Sequence, residues 1–414
     1  MNRERTILVV GTYDTKQDEL QFIADVIREQ GGRVLTMDVS VLGEPDRATD
    51  ISKHEVAQAG GHTIEQAIGA GDENLAMQIM ATGAAHIAAD LVGEQRVHGV
   101  IALGGTMGTD LALDVCSALP LGVPKLIVST VAFSPMIPPE RLPPDVQMIL
   151  WAGGLYGLNE VCRGSLSQAA GAVLGAARAA RLPARDRPMI GMTSFGKTVL
   201  RYMVTLKPAL QARGFEVAVF HATGMGGRAF ESLAASGAFA CVLDFATQEL
   251  GNQLHGSSIS AGPDRLTGAG RAGVPQLVAP GCYDLVDLVG WQAIPSALEH
   301  LPRHAHNRLL TSVVLDEGGR RAVARAHCER LALARGPTSL LLPVGGCNEW
   351  DRPGAPLHDA AGMAAFVEET TRCCPANVSL QVIDGHINDP AFADAALAIV
   401  DDWLAAGIIA APPA

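Results

Sequence analysis

The sequence predicts an α/β protein of two domains built on mainly parallel sheets, and three observations carry that reading. Short β-branched apolar runs repeatedly hand over to helical patterns through glycine turns. The composition has 45 glycines, only 18% charged residues and 4% aromatics, which suits many tight turns between small-residue helices. The 414 residues exceed one ordinary domain, and an Ala/Arg/Pro-rich stretch interrupts them midway.

Thr6 to Val10 reads as a strand stopped by Gly11. A helical pattern follows, with Asp18 and Glu19 in its first turn and Leu20, Ile23, Ala24 and Ile27 at helical spacing. Gly31-Gly32 closes it before the next strand, Val34 to Asp38. A second unit starts at Val97, turns through Gly104 to Thr109, continues as a helix from Asp110 to about Leu119, and is broken by Pro120 to Pro124 before Lys125 to Thr130. Alternation of this kind implies a parallel sheet covered on both faces, with ligands beyond the carboxyl ends of its strands. Residues 176–188 read as a helix end and an exposed connection, which gives domains at 1–184 and 188–414. Beyond it the same grammar resumes: Met189 to Thr193, a helix to about Arg213, Phe215 to His221, a glycine turn with a helix from Arg228, and Ala240 to Asp244.

A formal charge of −12 argues against nonspecific binding to nucleic acid or anionic membranes. The apolar part of the opening segment is too short for a signal peptide, and no uninterrupted apolar run approaches a membrane span. Eight cysteines without a C-x-x-C point to reduced thiols. The expectation is a cytoplasmic protein.

Four loops lie where a strand meets a helix: residues 11–16, 104–109, 191–198 and 223–227. Each combines glycine with hydroxyl or amide donors at a helix N-terminus, which is what an anion needs. Two in each half point to a phosphate-rich ligand in a cleft between the domains. Residues 191–198 also satisfy the phosphate-loop pattern G-x-x-x-x-G-K-[ST], with Lys197 and Thr198 in the reactive positions. Only Met189 and Ile190 precede its first glycine, too little for the strand that such a loop requires, so the match reads as accidental.

The longer segments at 11–20, 103–109 and 220–231 resemble the Tm-1-like family, uncharacterised bacterial proteins and the N-terminal domain of a plant antiviral resistance protein. So do Ser260 to Leu266, His306-Asn307, Leu342 to Gly346 and His386 to Asp389, in order along nearly the whole chain. The resemblance implies two Rossmann-like domains, ATP with Mg²⁺ in the cleft between them, and a homodimer. Carried over by position, the nucleotide-binding residues are Thr12, Asp14, Thr15 and Lys16; Gly104, Gly105, Thr106 and Thr109; Thr223, Gly224, Gly226, Gly227 and Glu231; and Ser260, Gly262, Asp264 and Arg265. Thr193 belongs to the 191–198 loop, and Arg265 offers a bidentate guanidinium for phosphate. The family reads without lysine at the position of Lys197, which supports the accidental reading of the phosphate-loop match.

Departures from the family pattern fall on the substrate side. Asn252 stands where relatives tend to carry a carboxylate, Leu310 to Val314 lacks the family's arginine, and Gly345 to Trp350 replaces a smaller segment. His304 and His306 form an H-x-H pair that, with Asp284, Asp287, His255 or His386, suggests a metal-dependent hydrolase as the alternative function; flanking Arg303 and Arg308 oppose a cation there. The nucleotide reading itself leaves open a binding module without turnover and an enzyme acting on a small-molecule substrate. Asp14, Glu231, Glu249 and Asp264 are the carboxylates to test.

Overall fold

The computed structural model describes residues 4–154, 156–181, 186–196 and 201–412. Residues 182–185 of the expected connection at 176–188 and the phosphate-loop positions Lys197 and Thr198 lie outside the described residues. Two compact units divide the chain, Met1–Pro183 and Ala184–Ala414.

In the first unit the elements run β1 (Thr6–Gly11), α1 (Gln17–Glu29), β2 (Arg33–Asp38), α2 (Lys53–Ala59), α3 (Ile64–Ile68), α4 (Glu73–Gly93), β3 (Gly99–Gly104), α5 (Thr106–Ser117), β4 (Lys125–Ser129), β5 (Val146–Leu150) and α6 (Glu160–Ala179). The strands form one parallel sheet in the order β2-β1-β3-β4-β5. Because side chains alternate across a strand, Leu8 and Val10 face one core with α4 and α5, while Ile7 and Val9 face a second core with α1 and α6. Both faces are covered, which is why these strands read as continuous apolar runs.

The second unit follows as β6 (Met189–Ser194), α7 (Arg201–Ala212), β7 (Glu216–His221), α8 (Met225–Ala235), β8 (Cys241–Asp244), α9 (Gln248–Leu254), α10 (Gly268–Ala272), β9 (Gln276–Val278), β10 (Leu285–Val289), β11 (Arg303–Ala305), β12 (Leu310–Val314), α11 (Glu317–Leu331), β13 (Thr338–Pro343), α12 (Ala360–Cys373), β14 (Ser379–Ile383) and α13 (Pro390–Ala405). Six strands make a parallel sheet, β14-β13-β9-β8-β6-β7. A separate antiparallel sheet, β10-β12-β11, pairs Asp287 with Ser312 and Ser312 with His304. The α/β class and the mainly parallel sheets follow the expectation; the antiparallel sheet was not foreseen.

Two local readings are corrected. Helix α5 starts at Thr106, four residues before the expected Asp110, so Thr106 and Thr109 belong to its first turns. Strand β6 runs through Gly191 to Ser194, so the segment that matched the phosphate-loop pattern is extended chain for four of its eight positions. A strand cannot wrap a phosphate, and the match fails because the strand continues rather than because it is too short.

Helix α4 alone among the described residues is long and apolar enough to cross a bilayer. It packs against α2 and α5 in the first unit's core. Its contact with α2 depends on Gly83, where a Cβ would fall 1.8 Å from the Val56 carbonyl oxygen. Helix propensity alone predicts that Gly83→Ala stabilises by about 1 kcal/mol. The backbone collision reverses that sign, and we expect a loss of about 1–3 kcal/mol, measured as a lower urea midpoint with unchanged slope.

Candidate functional site

In both sheets the first strand is flanked by its successor on one side and a later strand on the other. This reversal opens a crevice beyond the carboxyl ends of β1 and β3 in the first unit, and of β6 and β8 in the second. The two crevices are built differently.

Around β1 and β3 the loops are braced from behind and open in front. Asp38, buried at the end of β2, accepts the Tyr13 N–H at 3.2 Å and the Ser40 N–H at 2.9 Å. The Ser40 hydroxyl lies between Asp38 Oδ1 and Asp14 Oδ1, at 2.5 and 3.0 Å, and Asp14 Oδ2 accepts the Gly43 N–H at 3.2 Å. Asp14 therefore ties the β1 loop to residues 40–43. Thr12 and Thr15 share a hydroxyl contact of 3.1 Å, with Thr15 exposed. The Lys16 ammonium sits 5.9 Å from the Trp151 ring centroid, a cation–π contact.

Beyond β3, Gly104 admits α5 closely: a Cβ there would fall 2.6 Å from Gly108 Cα. Thr109 is buried, its hydroxyl 2.6 Å from both the Gly105 carbonyl and Ser129 Oγ, so it fastens the helix to β4. Thr106 is exposed in the first turn. Side chains cap α2, α3, α4, α6, α11 and α12. Helices α1 and α5, the two that start at this crevice, have no capping side chain. Their first-turn N–H groups keep the partial positive charge that caps neutralise in those six; α9, α10 and α13 also lack a side-chain cap, but they belong to the second unit.

The second unit places its sequence-derived residues around a buried ion cluster. Arg265 is fully buried, and all five of its N–H donors are engaged. Nε donates to Glu249 at 2.8 Å, Nη1 to Glu231 at 2.9 Å and Asp244 at 2.5 Å, and Nη2 to Asp244 at 2.8 Å and the Ala246 carbonyl at 3.0 Å. No donor remains for a phosphate, so the structure corrects the reading of Arg265 as a ligand residue. Glu231 also accepts the N–H groups of Leu266 and Gly268, which accounts for the left-handed φ of +70° at Leu266.

The loop at 223–227 receives an internal anion. The Gly224 N–H donates to Glu249 at 2.5 Å, and a Cβ at Gly227 would fall 1.8 Å from Glu249 Oε2. At Gly226 a Cβ would collide with the His221 carbonyl. These glycines make room for the protein's own carboxylate at the start of α8. Thr193 is buried, donating to Asp244 at 2.7 Å and accepting the N–H groups of Phe245 and Ala246. Ser260 bonds Gln253 and accepts the Gly262 N–H, Asp264 pairs with Arg228 at 2.6 Å, and Thr223 lies on the turn beside His221. Asn252, the departure from the family carboxylate, holds the Ile259 carbonyl and the Asp287 N–H with its amide.

Burial pushes the Glu249 carboxyl up to about 7 against the opposing pull of Arg265. Burial likewise raises Glu231. The three carboxylates exceed the single guanidinium in charge, and a proton on Glu249 lessens that excess.

His304 and His306 pack on Trp350, with ring centroids 4.4 and 5.0 Å away. Nε2 of His306 lies 2.8 Å from Ser312 Oγ, which donates to Asp287 at 2.5 Å. His386 bonds the Asn348 carbonyl and Asp351 instead of joining them. Among the described residues no group of three or more His, Cys, Asp or Glu side chains is placed to hold a metal ion. Asp287, Ser312 and Trp350 were missed as a unit. For Asp287 and Ser312 the signal was polar residues inside otherwise apolar strands, Asp287 in Leu285–Val289 and Thr311-Ser312 in Leu310–Val314.

Comparison with known proteins places the chain firmly among relatives. Residues 5–182 match the family model described as the uncharacterised protein family (UPF0261) N-terminal domain, and residues 187–404 match its C-terminal domain. A UPF0261 protein of Brucella melitensis is 51% identical over 97% of this chain and 96% of its own length. One from Clostridium tetani is 34% identical over 95% and 97%. The ToMV resistance protein Tm-1(GCR237) of Solanum lycopersicum is 29% identical over 96% of this chain and 55% of that one, as the motif resemblance led us to expect.

Two measurements test the cluster. Arg265→Lys supplies three donors where five are used, leaves buried carboxylate oxygens without partners, and should cost about 3–5 kcal/mol in denaturant unfolding. The unfolded Glu249 carboxyl titrates at its ordinary 4.5 and the folded one at about 7. The folded state holds the extra proton across that window, so the associated stability is complete below pH 4.5 and is lost as pH rises through 7. Glu249→Gln never ionises and should gain on the wild type between pH 5 and pH 8, by up to about 3 kcal/mol; parallel stability curves would contradict the assignment.

Proposed function

Because this chain belongs to the UPF0261 family over both its units, we propose that it is a nucleotide-binding protein that takes ATP with Mg²⁺, its phosphates received at the β1/β3 crevice. One observation carries the reading: α1 and α5, of 13 and 12 residues, both begin at that crevice, and both lack the capping side chains that six other helices possess. Two open helix N-termini and the Lys16 ammonium form a matching set for a polyphosphate. The exposed hydroxyls of Thr15 and Thr106 and the backbone at Gly105 supply neutral donors. Gly105 has space as well, since the nearest atom to an added Cβ is Thr130 Oγ1 at 3.8 Å.

The residues present fit the group. Asp14 and the Thr12 and Thr15 hydroxyls are hard oxygen donors of the kind Mg²⁺ prefers, and the magnesium ion would neutralise phosphate charge. Asp38 and Ser40 hold Asp14 in place, and Ser129 with Thr109 holds the start of α5. Thr109 thus serves as a positioning residue, and Lys16, Thr15, Gly105 and Thr106 are those that touch the ligand. In the second unit, Gly224, Gly227, Glu231 and Arg265 shape the backbone and hold no phosphate.

Calorimetric titration with ATP, ADP and inorganic triphosphate, with and without Mg²⁺, tests the proposal. The expected result is ATP binding that Lys16→Ala weakens about 10- to 100-fold, the loss of one charge-assisted hydrogen bond. The unfolding midpoint of the variant, measured alongside, separates loss of binding from loss of fold. Absence of nucleotide binding by the wild type overturns the reading. Phosphate release measured on the same samples separates turnover from binding alone.

A further inference from the structure

The antiparallel sheet of the second unit carries a hydrogen-bonded chain, His306–Ser312–Asp287, that the nucleotide reading does not use. Asp287 on β10, Ser312 on β12 and His304 on β11 lie in one cross-strand row, and His306, just beyond β11, reaches back to the same serine. Asp287 and Ser312 are wholly buried. The serine hydroxyl has one hydrogen, which it gives to Asp287 Oδ1 at 2.5 Å. Toward His306 it can therefore only accept, so the 2.8 Å contact requires the proton on Nε2 of the imidazole. Nδ1 is left with its lone pair. Burial and neighbouring His304 both hold His306 below the ordinary histidine range, keeping the ring neutral at pH 7.

The ring sits among aromatic surfaces at the carboxyl edge of the six-stranded sheet. Trp350 lies 5.0 Å from His306 by ring centroids and Phe195, directly after β6, lies 6.1 Å away edge-on. Phe195 in turn stacks on His221 at the end of β7, 5.8 Å apart. His221, held low by burial, is also a neutral ring. A neutral imidazole of fixed tautomer, backed by a buried hydroxyl and carboxylate and faced by indole and phenyl rings, has the parts of a general base. Planar, uncharged molecules suit the rings around it.

We propose that His306 is a catalytic base acting through Nδ1 on an uncharged, planar-faced substrate stacked against Trp350, with Ser312 and Asp287 as its positioning residues.

Nitrobenzisoxazole is a suitable probe, because its ring opening needs a base and nothing else. The C–H proton passes to Nδ1, its electron pair forms the nitrile, the N–O bond breaks, and the oxygen leaves as a coloured phenolate; the imidazolium then returns its proton to water. Wild-type protein is expected to exceed the same concentration of free imidazole, with His306→Gln lowering kcat/KM at least tenfold. Trp350→Ala should act mainly on KM. Ser312→Ala should lower kcat at unchanged KM and move the midpoint of the pH–rate profile, a shift that a purely structural serine would not produce. The groups that bear on that midpoint are His304, Asp287 through Ser312, and His221 beyond Phe195. A His306→Gln variant that folds and matches the wild-type rate, or a wild type no faster than free imidazole, overturns the proposal.

Discussion

A single buried guanidinium fixes the architecture of the second unit. Arg265 joins the end of β8 through Asp244, α8 through Glu231 and α9 through Glu249, and it spends every N–H donor in doing so. Such a cluster gains little net stability over an apolar replacement of the same volume, because desolvation offsets most of the Coulomb attraction. Its effect is geometric: three carboxylates and a planar fork meet in one arrangement, so the segments carrying them have one way to pack. The demand spreads to positions that seem unrelated in sequence. Gly227 and Gly268 lack side chains because Glu249 and Glu231 occupy the space that a Cβ would need, and Leu266 takes a left-handed backbone to aim its N–H at Glu231.

That arrangement also explains why the three glycine turns that lead into α1, α5 and α8 have two different meanings. A helix N-terminus attracts an anion whatever its source. At α8 the anion is Glu249 of the same chain, and the glycines serve an internal contact. At α1 and α5 no side chain takes that place. The loop pattern in the sequence reports the attraction and not its occupant, so the carry-over from relatives treated both kinds alike. Separating them requires knowing that Glu249 and Arg265, far apart in number, are buried together.

The alternation of strands and helices was legible because burial on both faces leaves continuous apolar runs with glycine at their ends, as in Ile7 to Gly11 and Val100 to Gly104. The region from Ser40 to Arg96 was not read as structure, since α2 and α3 are short and depend on packing and capping boxes, and α4 carries apolar residues outside its buried face as well and so lacks a one-sided period. The phosphate-loop match misled in its reasoning though not in its outcome: a strand that contains glycine and threonine, Met189 to Ser194, looks like a loop when composition alone is weighed. Residues 285–314 were the least legible. The pairing of Asp287 with Ser312 is a matter of register between strands separated by a long connection, and only the polar residues inside two otherwise apolar strands hint at it.

The two crevices consequently favour different chemical groups. Beside β1 and β3, a lysine, open helix N-termini and hydroxyls face outward, and the carboxylates of Asp38 and Asp14 are engaged by serine and backbone N–H groups. Beside β6 and β8, the buried charges sum toward negative, and the nearby rings of Phe195, His221, His306 and Trp350 are neutral. A phosphate bearing two charges would be repelled by the second environment and attracted by the first. An uncharged group with a planar face reverses that preference, because it loses little hydration on meeting the rings and gains nothing from a cation. The two units thus differ in the charge and polarity of the side chains beside their switch points, although their sheets follow the same winding rule.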